Sequence, residues 1–163
     1  MVAGIPGLSR AGWEQWSKTP RSGWGAEPPE DPGPALVAHL CPRPDLSAGP
    51  WALSHGARAG MDLSDGLARD GERLAGASKV DIVLDIDRLP PLPRSIELDI
   101  EGRLAGGEEH ELLVLVPPSS AELFEARGFT TLGEARAPAQ EPTLRLERRG
   151  SPVELTPRPY EHF

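Results

Sequence analysis

The 163-residue chain carries 17 Lys and Arg against 25 Asp and Glu, a formal net charge of −8, together with 18 Gly, 19 Pro and a single cysteine. Its longest uninterrupted apolar run, residues 112–116, falls far short of the ~20 residues of a membrane-spanning helix, and an acidic balance without a basic patch excludes binding to nucleic acid by phosphate neutralisation. Cys41 has no partner for an internal disulfide and Met1-Val2-Ala3-Gly4-Ile5-Pro6 lacks the charged and apolar regions of a secretory signal, so no membrane is expected and the cytoplasm is the expected compartment.

A chain of this length suits one domain and can bury roughly 70% of its unfolded surface. Residues 9–16 read as a short helix with Ser9 as N-cap and Trp13 and Trp16 on one face. The Pro- and Gly-rich stretch 19–34 reads as a loop. Residues 36–40 form one helical turn ended by Pro42-Arg43-Pro44, and 51–59 a second helix or the approach to a strand. The clearest helix is 66–77: Leu67 and Leu74 share a stripe, Arg69, Asp70, Glu72 and Arg73 lie outside it, and Ser64 or Asp65 supplies the cap. Residues 80–86 read as a strand, solvated on the side of Asp81, Asp85 and Asp87 and stopped by Pro90, Pro91 and Pro93. The nearly all-apolar 111–116 is the strongest strand, covered on both faces. Residues 119–127 form a short amphipathic helix burying Leu123 and Phe124, and 129–132, 144–146 and 153–155 are three further short strands. The sum is α+β: a mixed sheet with helices packed on one face.

The commonest catalytic motifs are absent. There is no G-x-x-x-x-G-K-[ST] phosphate loop, no G-x-S-x-G elbow and no second histidine to make His110-Glu111 an H-E-x-x-H pair. The histidines and Cys41 offer no zinc spacing, and Asp81, Asp85 and Asp87 lack the Gly and Glu of a calcium loop. Three segments remain. In Met61-Asp62-Leu63-Ser64-Asp65-Gly66-Leu67, two carboxylates bracket a hydroxyl just before a helix, placing hard oxygen ligands beside backbone N–H groups. Such a place suits a magnesium ion and the phosphate it bridges, because Mg²⁺ takes one or two carboxylates and completes its shell with water and phosphate oxygens. The plainer reading is an N-cap. Gly106-Gly107-Glu108-Glu109-His110-Glu111-Leu112 sets a glycine pair and polar residues at the mouth of the strong strand, for a ligand or as a helix end running into a solvated strand start. At the end of the chain, Tyr160 could stack on a flat heterocycle or plug the core.

Together these segments resemble one family, the thiamine-monophosphate kinases, within the larger group of phosphoribosylaminoimidazole synthetase-like (PurM-like) ATP enzymes. The family's D-[IV]-S-D-G-L is similar to Asp62-Leu63-Ser64-Asp65-Gly66-Leu67, with Asp70 at a further acidic position. Its S-G-G-E-D-Y-E-L-L-F-x-V-P resembles the run from Gly106 to Pro117, its terminal G-[WYF]-x-H-F resembles Tyr160-Glu161-His162-Phe163, and its V-T-G-x-x-G-x-S-A-A-G-L is echoed from Val2 to Trp13. The resemblance covers the family's C-terminal half, so residues 1–163 are expected to be a PurM C-terminal-like domain, with the N-terminal ATP and magnesium half outside this chain. It implies ATP-dependent, Mg²⁺-assisted phosphorylation of thiamine phosphate to thiamine diphosphate by a homodimer when full-length, and little turnover by this half alone. Asp62 and Asp65 would then be magnesium ligands, Ser64 would contact ATP as co-substrate, and Glu108, Glu109 and Tyr160 would face thiamine phosphate; no general base is assigned.

Several positions depart from the pattern. Leu8 stands where the family has Asp, Arg10 replaces the first Ala of S-A-A-G, Cys41-Pro42-Arg43-Pro44-Asp45 loses both arginines of R-P-x-P-R, and Glu109 and His110 replace Asp and Tyr. Glu109 keeps the charge but carries it one methylene further out, enough to alter a direct contact. The alternatives are another enzyme of the same group acting on a different small phosphate acceptor, and a non-catalytic binding module retaining the fold.

Overall fold

In the computed structural model, which describes residues 1–18 and 29–154, the leucine stripe of one helix organises the centre. That helix, α4 (Leu67–Ser78), buries Leu67, Leu74 and Ala75 against Leu63, Ile82, Leu84, Leu104, Leu113 and Leu132. Helices α1 (Leu8–Lys18), α2 (Gly33–Leu40) and α3 (Ala48–Ser54) precede it, followed by strand β1 (Ala59–Asp62). After α4 come β2 (Asp81–Asp85), α5 (Ile100–Ala105), β3 (Leu112–Leu115), α6 (Ala121–Ala126), β4 (Gly133–Arg136), β5 (Leu144–Arg148) and β6 (Ser151–Pro152).

The fold is α+β with a mixed sheet, as expected, but the strands divide into two groups. Four run in the order β4-β2-β5-β6, with β2 parallel to β5 and antiparallel to β4. Separately, β1 pairs antiparallel with β3, from Ala59 opposite Leu115 to Asp62 opposite Leu112. This second pairing matters for function, because it brings the ends of the two polar segments to one edge. Beside it, Trp51, Phe124 and Phe129 close a smaller core with edge-on contacts, Phe124 lying 4.9 Å from Trp51 and 5.2 Å from Phe129. Helices α1 and α2 approach at Gly12, where a Cβ would stand 2.1 Å from the Ala35 carbonyl oxygen.

Several expectations need correction. Strand β2 is not solvated on one side: it is central in its sheet, and Asp81 is buried, accepting from the Thr143 amide at 3.2 Å and pairing with Arg145 at 3.0 Å. The strand expected at 129–132 lies at Gly133–Arg136 instead. Residues Phe129 and Leu132 are buried while Thr130 only bridges to Val2, and close pairing with β2 starts at Gly133, where any Cβ would meet the Val83 carbonyl oxygen at 1.8 Å. The last strand begins early, at Ser151, because Arg149 and Gly150, with φ of 51° and 76°, make the turn from β5. The turn expected at 36–40 is a full helix that starts inside the Pro- and Gly-rich stretch, with Pro34 in its first turn, where a missing N–H is tolerated. Residues 19–28 of that stretch lie outside the described residues. Segment 51–59 contains both readings, since α3 ends at Ser54 and β1 begins at Ala59. Among the described residues, no helix is long and apolar enough to cross a membrane.

Candidate functional site

The Asp62–Gly66 turn is held from below by a residue the sequence places on the wrong face. Neither Ser64 nor Asp65 caps α4; Gly66 is the N-cap, at φ 107°, and makes no side-chain cap bond. Asp70 does the capping. Side chains on a helix lean toward its N-terminus, so a carboxylate one turn in can reach the loop above. The fully buried Asp70 accepts through Oδ2 from the amides of Ser64 (2.9 Å), Asp65 (2.8 Å) and Gly66 (3.1 Å), and through Oδ1 from Arg73 (3.0 Å). The amides expected to face a phosphate are therefore already occupied by this carboxylate, which also compensates the positive end of the helix. What the turn presents outward is side chain: the exposed Asp62 and the partly buried Ser64 and Asp65.

Asp62 pairs with His110 Nδ1 at 3.2 Å, and Asp65 lies 2.5 Å from Arg73 and 3.9 Å from Arg69. The contact with Asp65 is the main reason the Arg73 guanidinium is held above its ordinary pKa.

The glycine-rich segment is bonded directly onto this turn. Glu108 N–H donates to the Ser64 carbonyl at 3.0 Å, His110 N–H to the Leu63 carbonyl at 3.0 Å, and Leu63 N–H to the Glu111 carbonyl at 2.8 Å. At Gly107 a Cβ would sit 2.2 Å from the Ser64 carbonyl oxygen, so this contact exists only because the residue is glycine. The chain start docks on the same segment. Gly4 and Gly7 both have positive φ, and a Cβ there would strike the Glu111 carboxyl at 2.2 Å and the Arg103 backbone at 2.7 Å respectively.

Glu109 ties the two together. Its Oε1 accepts from the Ser9 amide in the first turn of α1 at 2.9 Å, whereas Oε2 is buried without a hydrogen-bond partner among the described residues. Burial pushes its carboxyl up to about 7, against the opposing pull of the Ser9 amide. Glu111 is also raised, by burial first and by the Asp45 charge second.

These pieces line an open pocket of about 110 Å³ whose wall includes Ser64, Asp65 and Glu108. Three further wall residues, Arg10, Trp13 and His39, escape sequence reasoning. Trp13 and Arg10 share an edge of α1, and His39 comes from α2, its Nδ1 3.2 Å from Ser9 Oγ and 3.6 Å from Glu108. The three-residue spacing of Arg10 and Trp13 was the available signal; only the fold reveals that His39 faces them. Of the residues singled out in the sequence, Ser64, Asp65 and Glu108 therefore share one cavity. Asp62 stands outside its wall beside His110, Glu109 is turned inward behind it, and Tyr160 lies outside the described residues.

Among the described residues no group of three or more His, Cys, Asp or Glu side chains could cage a metal ion. Magnesium asks less of a protein than a cage: one or two carboxylates suffice where phosphate oxygens and water complete its shell, and two carboxylates are what this turn offers. Asp62 offers a half-exposed carboxylate, and Asp65 adds a second hard donor whose charge Arg73 already shares.

An α+β domain of this topology is PurM-like. The Thermotoga maritima PurL structure, complexed with ADP, matches 66% of this chain at a TM-score of 0.51 and 17% identity, a likeness of fold alone. Within that class the chain is a relative of the thiamine-monophosphate kinases. The enzyme of Escherichia coli K12 is 34% identical over 139 residues, covering 78% of this chain and 42% of the relative, and that of Synechococcus elongatus is 36% identical over 143 residues, covering 78% and 40%. Among solved structures, AaThiL complexed with AMPPCP and TMP superposes at a TM-score of 0.73 and 27% identity over 99% of this chain and 50% of its own. The thiamine-monophosphate kinase of Stenotrophomonas maltophilia K279a gives 0.76 at 22% identity, covering 93% and 50%. The chain thus spans about two fifths of the curated relatives it matches and half of these solved chains. No family model matches.

Proposed function

We propose that this chain is the C-terminal domain of an ATP- and Mg²⁺-dependent kinase that converts thiamine phosphate to thiamine diphosphate in the cytoplasm, working with an N-terminal nucleotide-binding half, in a homodimer when full-length. The observation that carries the reading is the hydrogen bond from the Glu108 N–H to the Ser64 carbonyl, with Gly107 packed close against the same carbonyl, which makes one cavity wall of two segments more than forty residues apart. The AaThiL complex with AMPPCP and TMP supports ATP and thiamine phosphate as the substrates.

In this proposal Asp62 and Asp65 hold magnesium, whose chemistry when bound is to neutralise charge on the phosphate oxygens. Ser64 donates its hydroxyl to ATP, and Arg73 and Arg69 fix the orientation of the Asp65 carboxylate. Glu108 faces thiamine phosphate, with Tyr160 as the ring contact, while Glu109 steadies the Ser9 end of α1 behind it. Phosphoryl transfer depends on alignment and charge neutralisation more than on covalent help from the protein, so a wall of carboxylates and hydroxyl suits it without a general base.

The test combines this chain with the N-terminal half of a thiamine-monophosphate kinase, ATP and Mg²⁺, and measures thiamine diphosphate. Product that disappears with Asp62→Ala or Ser64→Ala supports the proposal. Stable association of the two halves without product overturns it.

A further inference from the structure

The first three residues run between the two groups of strands and are bonded to both. On one side Met1 and Val114 exchange backbone hydrogen bonds of 2.8 and 2.9 Å, and Ala3 N–H donates to the Leu112 carbonyl at 2.9 Å. On the other side Val2 and Thr130 exchange theirs at 2.9 and 2.8 Å. Val2 therefore bridges antiparallel to Leu113 and to Thr130 at once. Paired strands lie about 4.8 Å apart, so at Val2 the gap between β3 and the approach to β4 is one strand wide.

Ahead of Met1 the gap continues as an open groove of about 400 Å³, walled by residues 113–116 on one side and 133–135 on the other. Among the described strands β3 pairs only with β1 and β4 only with β2, so each turns a free edge to the groove. The Val114 N–H points that way, and by alternation so does that of Val116; the Leu132 carbonyl is bonded to β2, which leaves Gly133 and Ala135 facing the groove. Counted from Val2 opposite Thr130, the wall as far as Ala135 has room for about four residues ahead of Met1. Burial pushes the Met1 ammonium at the mouth of the groove down to about 6, and a peptide N–H in its place makes the same bond to Val114 without burying a charge.

Side-chain alternation sets what fits. Val2 joins the core around α4 with Leu113, whereas Met1 packs on the aromatic core with Val114. The next two positions along β3 are Leu115, on the α4 core, and Val116, on the aromatic core. An added strand is covered on both faces and calls for apolar residues on both. A strand from a second copy of this chain does not suit, because each described strand already has a neighbour on one edge and this groove bonds both.

We propose that the groove is a strand-binding site whose occupant is an extended polypeptide segment of apolar residues, antiparallel to both walls and ending where Met1 begins. Seated there, it joins the strands into one sheet in the order β1-β3-added strand-β4-β2-β5-β6 and ties the Asp62 edge to the larger sheet. The site lies apart from the pocket at Ser64 and Glu108 and does not depend on what that pocket binds.

The experiment extends the chain ahead of Met1 by four valines or by alternating threonine and valine, with four residues of alternating glycine and serine as the control. Either β-forming extension is expected to raise Tm by at least about 4 °C, and to slow amide exchange at Val116, Gly133 and Ala135 at least about tenfold, as one buried hydrogen bond supplies. The glycine-serine extension, equally free of a charge at Met1 but without side chains to pack, should give less than half of either effect. Equal effects from all three extensions overturn the inference, since they would reflect only the displaced charge. Unchanged Tm and exchange in both β-forming extensions overturn it as well. Sedimentation showing that the unextended chain is a dimer that the extensions dissociate would give the groove to a second copy and likewise overturn the occupant proposed here.

Discussion

Replacing Glu109 by glutamine should change how stability depends on pH, and the sign follows from where the carboxyl sits. Glu109 is 5% exposed, with Oε2 unpartnered, and its folded pKa is pushed from 4.5 to about 7 by burial. Between those values the folded state holds a proton that the unfolded state has released, so stability is greatest below about 4.5 and falls as pH rises toward about 7. At 1.36 kcal/mol per pH unit the loss is about 3 kcal/mol. The amide of Glu109→Gln keeps an oxygen for the Ser9 N–H and cannot ionise. The variant should match wild type near pH 4.5 and exceed it by about 3 kcal/mol at pH 8. Urea denaturation across this range, followed by far-ultraviolet circular dichroism, reads the difference directly. Parallel stability curves for the two proteins would refute the argument, because they would mean that Glu109 titrates normally and so is not buried as described.

Asp70→Asn should destabilise the chain by about 3 kcal/mol in the same denaturation assay, because a buried charge serving three amides and Arg73 is replaced by a group that opposes Arg73; a loss below about 1 kcal/mol would contradict the cap described here. Gly107→Ala should force the two polar segments apart, because the nearest obstacle at 2.2 Å is backbone, and cost about 2 kcal/mol together with thiamine phosphate binding. Gly76→Ala is the control: it lies within α4 with nothing inside 4 Å of the added carbon, and should stabilise the chain by about 0.5–1 kcal/mol in a thermal melt.

What the sequence revealed depended on whether the signal was local. Helix α4 and strand β3 are legible because an apolar stripe or run declares itself within a dozen residues, and the polar segments are legible because each directly abuts one of these apolar elements. Asp70 was not. By periodicity it belongs outside the apolar stripe, and its burial depends on three backbone amides that only the folded turn gathers. The displacement of the strand expected at 129–132 has the same origin: β-propensity favours those residues, but pairing with β2 is permitted only where Gly133 removes the side chain. Arg10, Trp13 and His39 entered the site through the packing of α1 on α2, a contact between surfaces more than twenty residues apart.

The most direct measurement is hydrogen exchange of the chain with and without thiamine phosphate and Mg²⁺-nucleotide. Slowed exchange appearing jointly in the amides around Ser64 and around Glu108, with the four-stranded sheet unchanged, is the expected result. Protection confined to one of those segments, or to neither, would contradict the claim that they form a single ligand-binding wall.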